Sequence, residues 1–294
     1  MSEADMDVSK WIGRRDERTD DVTVAPVWGF YDALDYDHAP QEGEALPPGA
    51  HWCYFHPHVP MREVGPDGHP ERGGFMPDPA GLPRRMFAGS HMDFVGDIRI
   101  GETLTRTQEI SSVTPKEGKT GKLLFVSVKE TYTGPRGVGM VQNNDIVYRE
   151  APKDGANTPP PPKPAPTEAR WQRTIDPDPV MLFKYSAVTF NGHRIHYDRT
   201  YAMNEEGYPG LVVHGPLIGT LLMDLCRRER PDDKLATFSF RAVAPLFDTA
   251  PFTVNGAPKD GDNDTWTLWP PTIRGTCACK AKRRSGKPFD KRSG

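Results

Sequence analysis

One segment of this chain reads as a helix that has to be buried, and it limits what the remainder can be. Over 216–228, PLIGTLLMDLCRR, the residues Leu217, Ile218, Leu221, Leu222 and Leu225 recur at three- and four-residue spacing and form a broad apolar stripe. Pro216 suits a first helical position, where a missing N–H costs nothing, and Arg227 and Arg228 complement the negative end of the helix dipole. Gly215 lets the backbone approach a ligand closely. Such a helix belongs in a core, with its N-terminus, rich in unpaired N–H groups, aimed at whatever the preceding loop holds.

That loop is crowded with polar groups: Asn191, His193, Arg194, His196, Tyr197 and Asp198, with His214 just before the helix. Upstream, Asp178 is placed to cap a short helix over 178–189 with Pro179 at its first position, and a second short helix is predicted over 24–34. Most other segments read as strands. MDFVGDIRIGETLTRTQEISSV, KLLFVSVKETYTG and GVGMVQNNDIVYRE alternate apolar and polar residues, TPKEGKTG supplies a turn between the first two, and HWCYFHPH is strand-like. Between Pro47 and Pro83 turn formers are too dense for regular structure; a long loop of this kind is a lid, a binding edge or ordinary surface.

APKDGANTPPPPKPAP, over 151–166, forces an extended spacer and divides the chain. The predicted organisation is a first unit at 1–150, a linker at 151–170, a second unit at 171–269 and a basic tail at 270–294. The tail holds eight lysines and arginines against one acid in a chain whose net charge is −3, so the main body is acidic and does not look like a nucleic-acid binder. It lacks clear alternation and is expected to pack poorly. LATFSFRAVAPLFDTAPFTVNG aligns weakly with MDFVGDIRIGETLTRTQEISSV, Phe240 beside Phe94, which suggests an internal pseudo-dimer. No apolar run approaches the ~20 residues that cross a bilayer, and the polar, acidic start resembles no targeting segment, so cytoplasm is the expected location. The four cysteines match no disulfide or zinc spacing.

YSAVTFNGHRIHYD followed by YPGLVVHGPL resembles the MaoC-like, or type 2, hydratases and dehydratases of acyl-CoA thioesters. The likeness is strong over about 171–254, weaker but continuous over 11–150, and stops near Trp269. It implies an α+β double hot-dog fold: two fused antiparallel sheets, with a first half of the fatty-acid-synthase dehydratase type and a full central helix only in the C-terminal half. Within the family the chain is most similar to members acting on short branched dicarboxylyl-CoA thioesters of mesaconyl-C4-CoA (3-methylfumaryl-CoA) or itaconyl-CoA type. The resemblance also implies no cofactor beyond the CoA of the substrate, a CoA groove between the halves and a possible homodimer.

Hydration of an α,β-unsaturated thioester requires a group to deprotonate water at Cβ, a proton at Cα, and stabilisation of the enolate-like oxygen. His196 falls on the family's catalytic histidine, and the N–H groups near Gly215 and Pro216 can serve the oxygen. Asn191, however, falls where the R-specific enoyl-CoA hydratases carry a catalytic Asp, and His193 where they carry Asn. An amide is no base. Either Asn191 positions water while His196 makes both proton transfers, or His193 or Asp198 takes over. Arg194 has two readings, pairing with a substrate carboxylate or CoA phosphate, or ordinary packing or a salt bridge to Asp198; Tyr197 is a candidate substrate contact, and His214 either caps the helix or touches substrate. His193 and His196 form a conceivable metal pair but have no third ligand at confirming spacing, so no metal is expected. Rival functions are a hot-dog acyl-CoA thioesterase and a non-catalytic acyl-CoA-binding protein.

Overall fold

The structure, a computed structural model, describes residues 8–71, 74–118, 121–150, 168–242, 244–259, 262–270 and 273–281. In chain order its elements are β1 (Arg15–Asp21), α1 (Val24–Ala33), β2 (Arg84–Phe94), β3 (Thr103–Gly118), β4 (Gly121–Gly134), β5 (Gly137–Arg149), β6 (Trp171–Ile175), α2 (Pro179–Val188), α3 (Arg199–Asn204), α4 (Gly215–Glu229), β7 (Asp233–Ala242), β8 (Phe252–Lys259), β9 (Asp262–Trp269) and β10 (Ile273–Ala281). Asp178 caps α2 as its sequence predicts: Oδ1 accepts from the N–H groups of Val180 at 2.6 Å and Met181 at 2.9 Å.

The strands form one antiparallel sheet in the order β1-β3-β4-β5-β2-β7-β10-β9-β8-β6. From either edge inward, each half contributes its first, third, fourth, fifth and second strand. The same five-stranded unit therefore occurs twice, joined through β2 and β7, where Ser90 faces Phe240 and Met92 faces Phe238. The sequence alignment of Phe94 with Phe240 carries the same offset as the facing pair Met92 and Phe238, which places a local two-fold at that pair. This is an α+β double hot dog whose two sheets have merged into one.

One apolar core spans both halves, and a second cluster, with Ile110, Leu124 and Tyr148, lies within the first half. The shared core joins Phe30, Tyr31 and Leu34 around α1 with Leu217, Leu221 and Leu222 of α4 and Phe238 and Phe240 of β7. All ten residues of α4 from Leu217 to Cys226 are buried, so the helix is enclosed on every side and not only along the predicted stripe. On one side Gly219 lets α4 approach β7, since a Cβ there would lie 3.1 Å from the Phe240 ring. On another, Gly49 of the first half, at φ +92°, would bring a Cβ to 2.9 Å from Thr220 Oγ1. The first half thus covers the helix face that its own half leaves open. Its buried Asp224 accepts from Tyr36 of the first half and pairs with Arg173 at 3.0 Å and Arg228 at 2.7 Å, so a polar network fastens the C-terminal end of α4 across the halves.

Four expectations need correction. The 92–113 segment is not one strand: β2 ends at Phe94, 95–102 turns, and β3 starts at Thr103, because Gly101 takes φ +93° and the N–H groups of Val95 and Gly96 both turn to Gly139 O. TPKEGKTG does not turn as a whole, since its first five residues extend β3 until Gly118 pairs with Gly121. HWCYFHPH is not a strand: Ala50–Cys53 is a 3-10 turn behind Gly49, which seats His51, Cys53, Tyr54 and Phe55 inside. Finally, residues 273–281 of the supposed loose tail are β10, paired with β7 on one side and β9 on the other. A strand between two neighbours is held by its backbone ladder, which needs no side-chain alternation to form. The predicted linker up to residue 167, and the tail beyond 281, lie outside the described residues.

Candidate active site

Past α2 the chain turns sharply at Phe190, which takes a left-handed φ of +50°, and Asn191 Oδ1 accepts from the His193 N–H at 3.0 Å to shape the loop. A 3-10 turn, Arg194–His196, then carries His196 inward. His196 Nδ1 donates to Val212 O at 2.7 Å, and this fixes the tautomer: Nε2 keeps a free lone pair. Burial pushes the ring down to about 4, against the pull of the Val212 carbonyl, so it is a neutral imidazole at neutral pH.

His196 stacks on His214, with centroids 3.8 Å apart and 19° between planes. His214 immediately precedes α4, is fully buried, and meets Ser186 Oγ through Nε2 at 2.8 Å, while its Nδ1 has no partner. Burial holds it well below the usual histidine range. The sequence-predicted imidazole and the start of the central helix therefore share one small volume. No side chain caps α4, and a Cβ on Gly215 would meet nothing within 4 Å, which leaves open space beside the first-turn backbone. The helix starts one residue earlier than the sequence predicts, at Gly215, so Pro216 is its second residue and not its first.

Not every predicted residue faces that volume. Arg194 takes the salt-bridge reading: Nε and Nη2 bond Asp198 at 3.1 and 2.8 Å, and Nη1 donates to Pro66 O at 2.9 Å. Asp198 also accepts from the Tyr201 N–H at 3.0 Å, capping α3, and these contacts hold its carboxyl below the usual range. That removes Asp198 as a base. Tyr197 is exposed, with its hydroxyl donating to Gly192 O at 2.9 Å.

Sequence reasoning missed two participants, both in the Gly/Pro-rich segment of the first half. Gly68, at φ +88°, lies so close to the second half that a Cβ would come within 1.9 Å of Gly192 O, and Arg194 N donates to Asp67 O at 2.9 Å. This docking brings His69 onto His193, centroids 4.0 Å apart, and His193 lies edge-on to His196 at 5.3 Å. Asp67 Oδ2 receives His69 Nδ1–H at 3.0 Å. Burial outweighs the carboxylate at His69 and lowers it, while burial, His69 and His196 push His193 down to about 3. Burial alone would raise Asp67, but its hydrogen bonds from His69 prevail and lower it. At neutral pH the pair is a carboxylate accepting from a neutral ring. Asp67, His69 and His193 offer donor atoms all within 4.8 Å of one another, a group distinct from the His193 and His196 pair that the sequence suggested. Within it Asp67 and His69 are hydrogen-bonded to each other. A small cavity of about 40 Å³ in the first half, lined in part by Leu46, His51 and Ile98, contains none of these second-half imidazoles.

The hydroxyacyl-thioester dehydratase type 2 family matches residues 49–248. The chain is 45% identical over 262 residues to the mesaconyl-C(4)-CoA hydratase of Chloroflexus aurantiacus, covering 88% of this chain and 91% of that one. In fold it is similar to a MaoC-like dehydratase from Phytophthora capsici, with a TM-score of 0.68 at 12% identity over 94% of this chain and 99% of that one. A double-hotdog protein of Mycobacterium tuberculosis matches with a TM-score of 0.55 at 10% identity, over 92% and 96% of the respective chains. The chain belongs to the hydroxyacyl-thioester dehydratase type 2 family and is a hydro-lyase acting on acyl-CoA thioesters.

Proposed function

We propose that this protein reversibly adds water to the double bond of a short branched dicarboxylyl-CoA thioester, with mesaconyl-C4-CoA as the preferred substrate. The near full-length similarity to a mesaconyl-C(4)-CoA hydratase supports the acyl group. The observation that carries the chemistry is the free Nε2 of His196, held beside the uncapped start of α4. In this reading Nε2 accepts the proton of the attacking water as oxygen bonds to Cβ. Electron density moves onto the thioester oxygen, which the N–H groups of the α4 first turn stabilise, and a proton then reaches Cα. Asn191 shapes the loop and offers its amide to water or carbonyl without serving as a base.

A dicarboxylyl substrate brings a second carboxylate that needs a cation. Arg194 is engaged by Asp198 and Pro66. Arg85 of β2 is exposed, has no ion pair among the described residues, and its charge reaches both His69 and His193. We assign it to that carboxylate.

The test is hydration of mesaconyl-C4-CoA, followed by loss of enoyl-thioester absorbance, in the unaltered protein and in His196→Ala. The expected fall in kcat is about 10²–10⁴-fold, the range of a positioned acid/base. Turnover unchanged in His196→Ala would remove this residue from the mechanism. Release of free thiol without hydration would make the protein a thioesterase.

A further inference from the structure

His196 alone is a poor place to keep the proton that water loses. Its Nδ1 faces a backbone carbonyl, and an imidazolium stacked on His214 at 3.8 Å would have no counter-charge. Within the run of rings His214, His196, His193 and His69, His69 is the one that, among the described residues, hydrogen-bonds a carboxylate, Asp67 Oδ2 at 3.0 Å, and the same carboxylate lies within 4.8 Å of His193. The rings follow one another in space: the His193 centroid lies 5.3 Å from that of His196 and 4.0 Å from that of His69. The pair is also held in place. Asp67 accepts the His69 N–H at 3.0 Å, its carbonyl is tied to Arg194, and the Gly68 backbone lies against Gly192 so closely that no side chain fits between.

We propose that the Asp67–His69 pair, supplied by the first half, is the station that holds the water's proton during hydration, replacing the carboxylate absent at Asn191. This rests on the hydratase reading above. The C–O bond forms at Cβ as one O–H of water breaks and the π electrons pass to the thioester. The proton moves from His196, past His193, to His69, where Asp67 neutralises the imidazolium; it then returns to Cα, forming the C–H bond. No other reactant is needed. His69 is the proton-transfer group, and Asp67 is a positioning residue that acts through it. Arg85 is a cation whose charge opposes protonation of His69, and its pairing with the substrate carboxylate would relieve that opposition.

The station differs from His196 in exposure. The side chains of His69 and Asp67 are 36% and 40% exposed, whereas His196 is buried, so a proton resting on His69 exchanges with solvent. The experiment uses the hydrated thioester of mesaconyl-C4-CoA labelled with deuterium at Cα, run in the dehydration direction. It measures label lost from unreacted substrate against net dehydration, for the unaltered protein, His69→Gln and Asp67→Asn. The unaltered protein should wash out label. His69→Gln should lower kcat by about tenfold or more with KM within about threefold, and should suppress washout relative to dehydration. Asp67→Asn, which keeps the shape of the turn, should shift both readouts the same way by less. Washout and kcat unchanged in both variants, or no washout in the unaltered protein, would overturn the assignment while leaving hydration intact. Absence of hydration in the unaltered protein would instead overturn the reading on which it rests.

Discussion

At the scale of single residues, chemistry here depends on which atoms already have partners. Nδ1 of His196 is bound, so Nε2 is available; the guanidinium of Arg194 is bound, so a substrate carboxylate must look elsewhere. The same accounting leads to Arg85. Replacing Arg85 with Gln should raise KM for mesaconyl-C4-CoA by about tenfold, near the 1.4 kcal/mol expected of one exposed charge-assisted contact. KM for crotonyl-CoA, which has no second carboxylate, should stay the same. Steady-state kinetics on the two substrates give the comparison, and an equal effect on both would place Arg85 outside the acyl pocket. His196, His214 and Gly215 were legible in the sequence because they flank a strongly patterned helix. Asp67 and His69 were not, since a GPDGH turn in a proline-rich loop has no periodicity to announce it, and only docking against Gly192 gives these residues a function.

At the scale of elements, local signals were dependable where one or two residues determine geometry. Asp178 with Pro179 marked the start of α2, and Pro216 the first turn of α4. Alternation was less dependable. The 92–113 segment contains the end of one strand, a turn and the start of another, with apolar residues in all three because Ile98 and Ile100 pack against the core from the turn. The largest misreading was β10, whose composition resembles a tail. Its place between β7 and β9 leads to a prediction: a chain ending at residue 270 would expose two ladder edges in the middle of the second half. It should be recovered mainly as aggregate, and size-exclusion chromatography of the soluble fraction measures this. A monodisperse truncated protein with the native far-UV spectrum would mean that β10 is dispensable.

At the scale of the molecule, the two halves share one core and one cluster of rings, and the cost of that arrangement depends on pH. Burial holds His51 and His196 down to about 4 and His214 well below the usual histidine range, whereas in the unfolded chain each titrates near 6.5. Below about pH 6.5 the unfolded state therefore binds protons that the fold refuses. Stability should be full above that value and fall as pH drops toward 4, by up to about 1.4 kcal/mol per pH unit for each such histidine. Urea midpoints at about pH 5 and pH 7.5 give the sign, and His51→Gln should reduce the difference. Equal midpoints would mean that these rings are solvated in the native state.

What the sequence determined by itself is the set of features that depend on neighbours along the chain: the buried helix with its proline start, the capped α2, the alternation of β4 and β5, and a histidine loop placed just ahead of α4. No helix among the described residues is long and apolar enough to cross a membrane, in keeping with the composition. What only the tertiary structure decided is everything that requires two distant segments to meet. The merging of two five-stranded units at β2 and β7, the insertion of β10, and the delivery of Asp67 and His69 to His193 all arise from backbone pairing and close approach at glycine. Those interactions depend on shape and unsatisfied hydrogen bonds, and neither is recorded in the identity of a residue or in its spacing from the next.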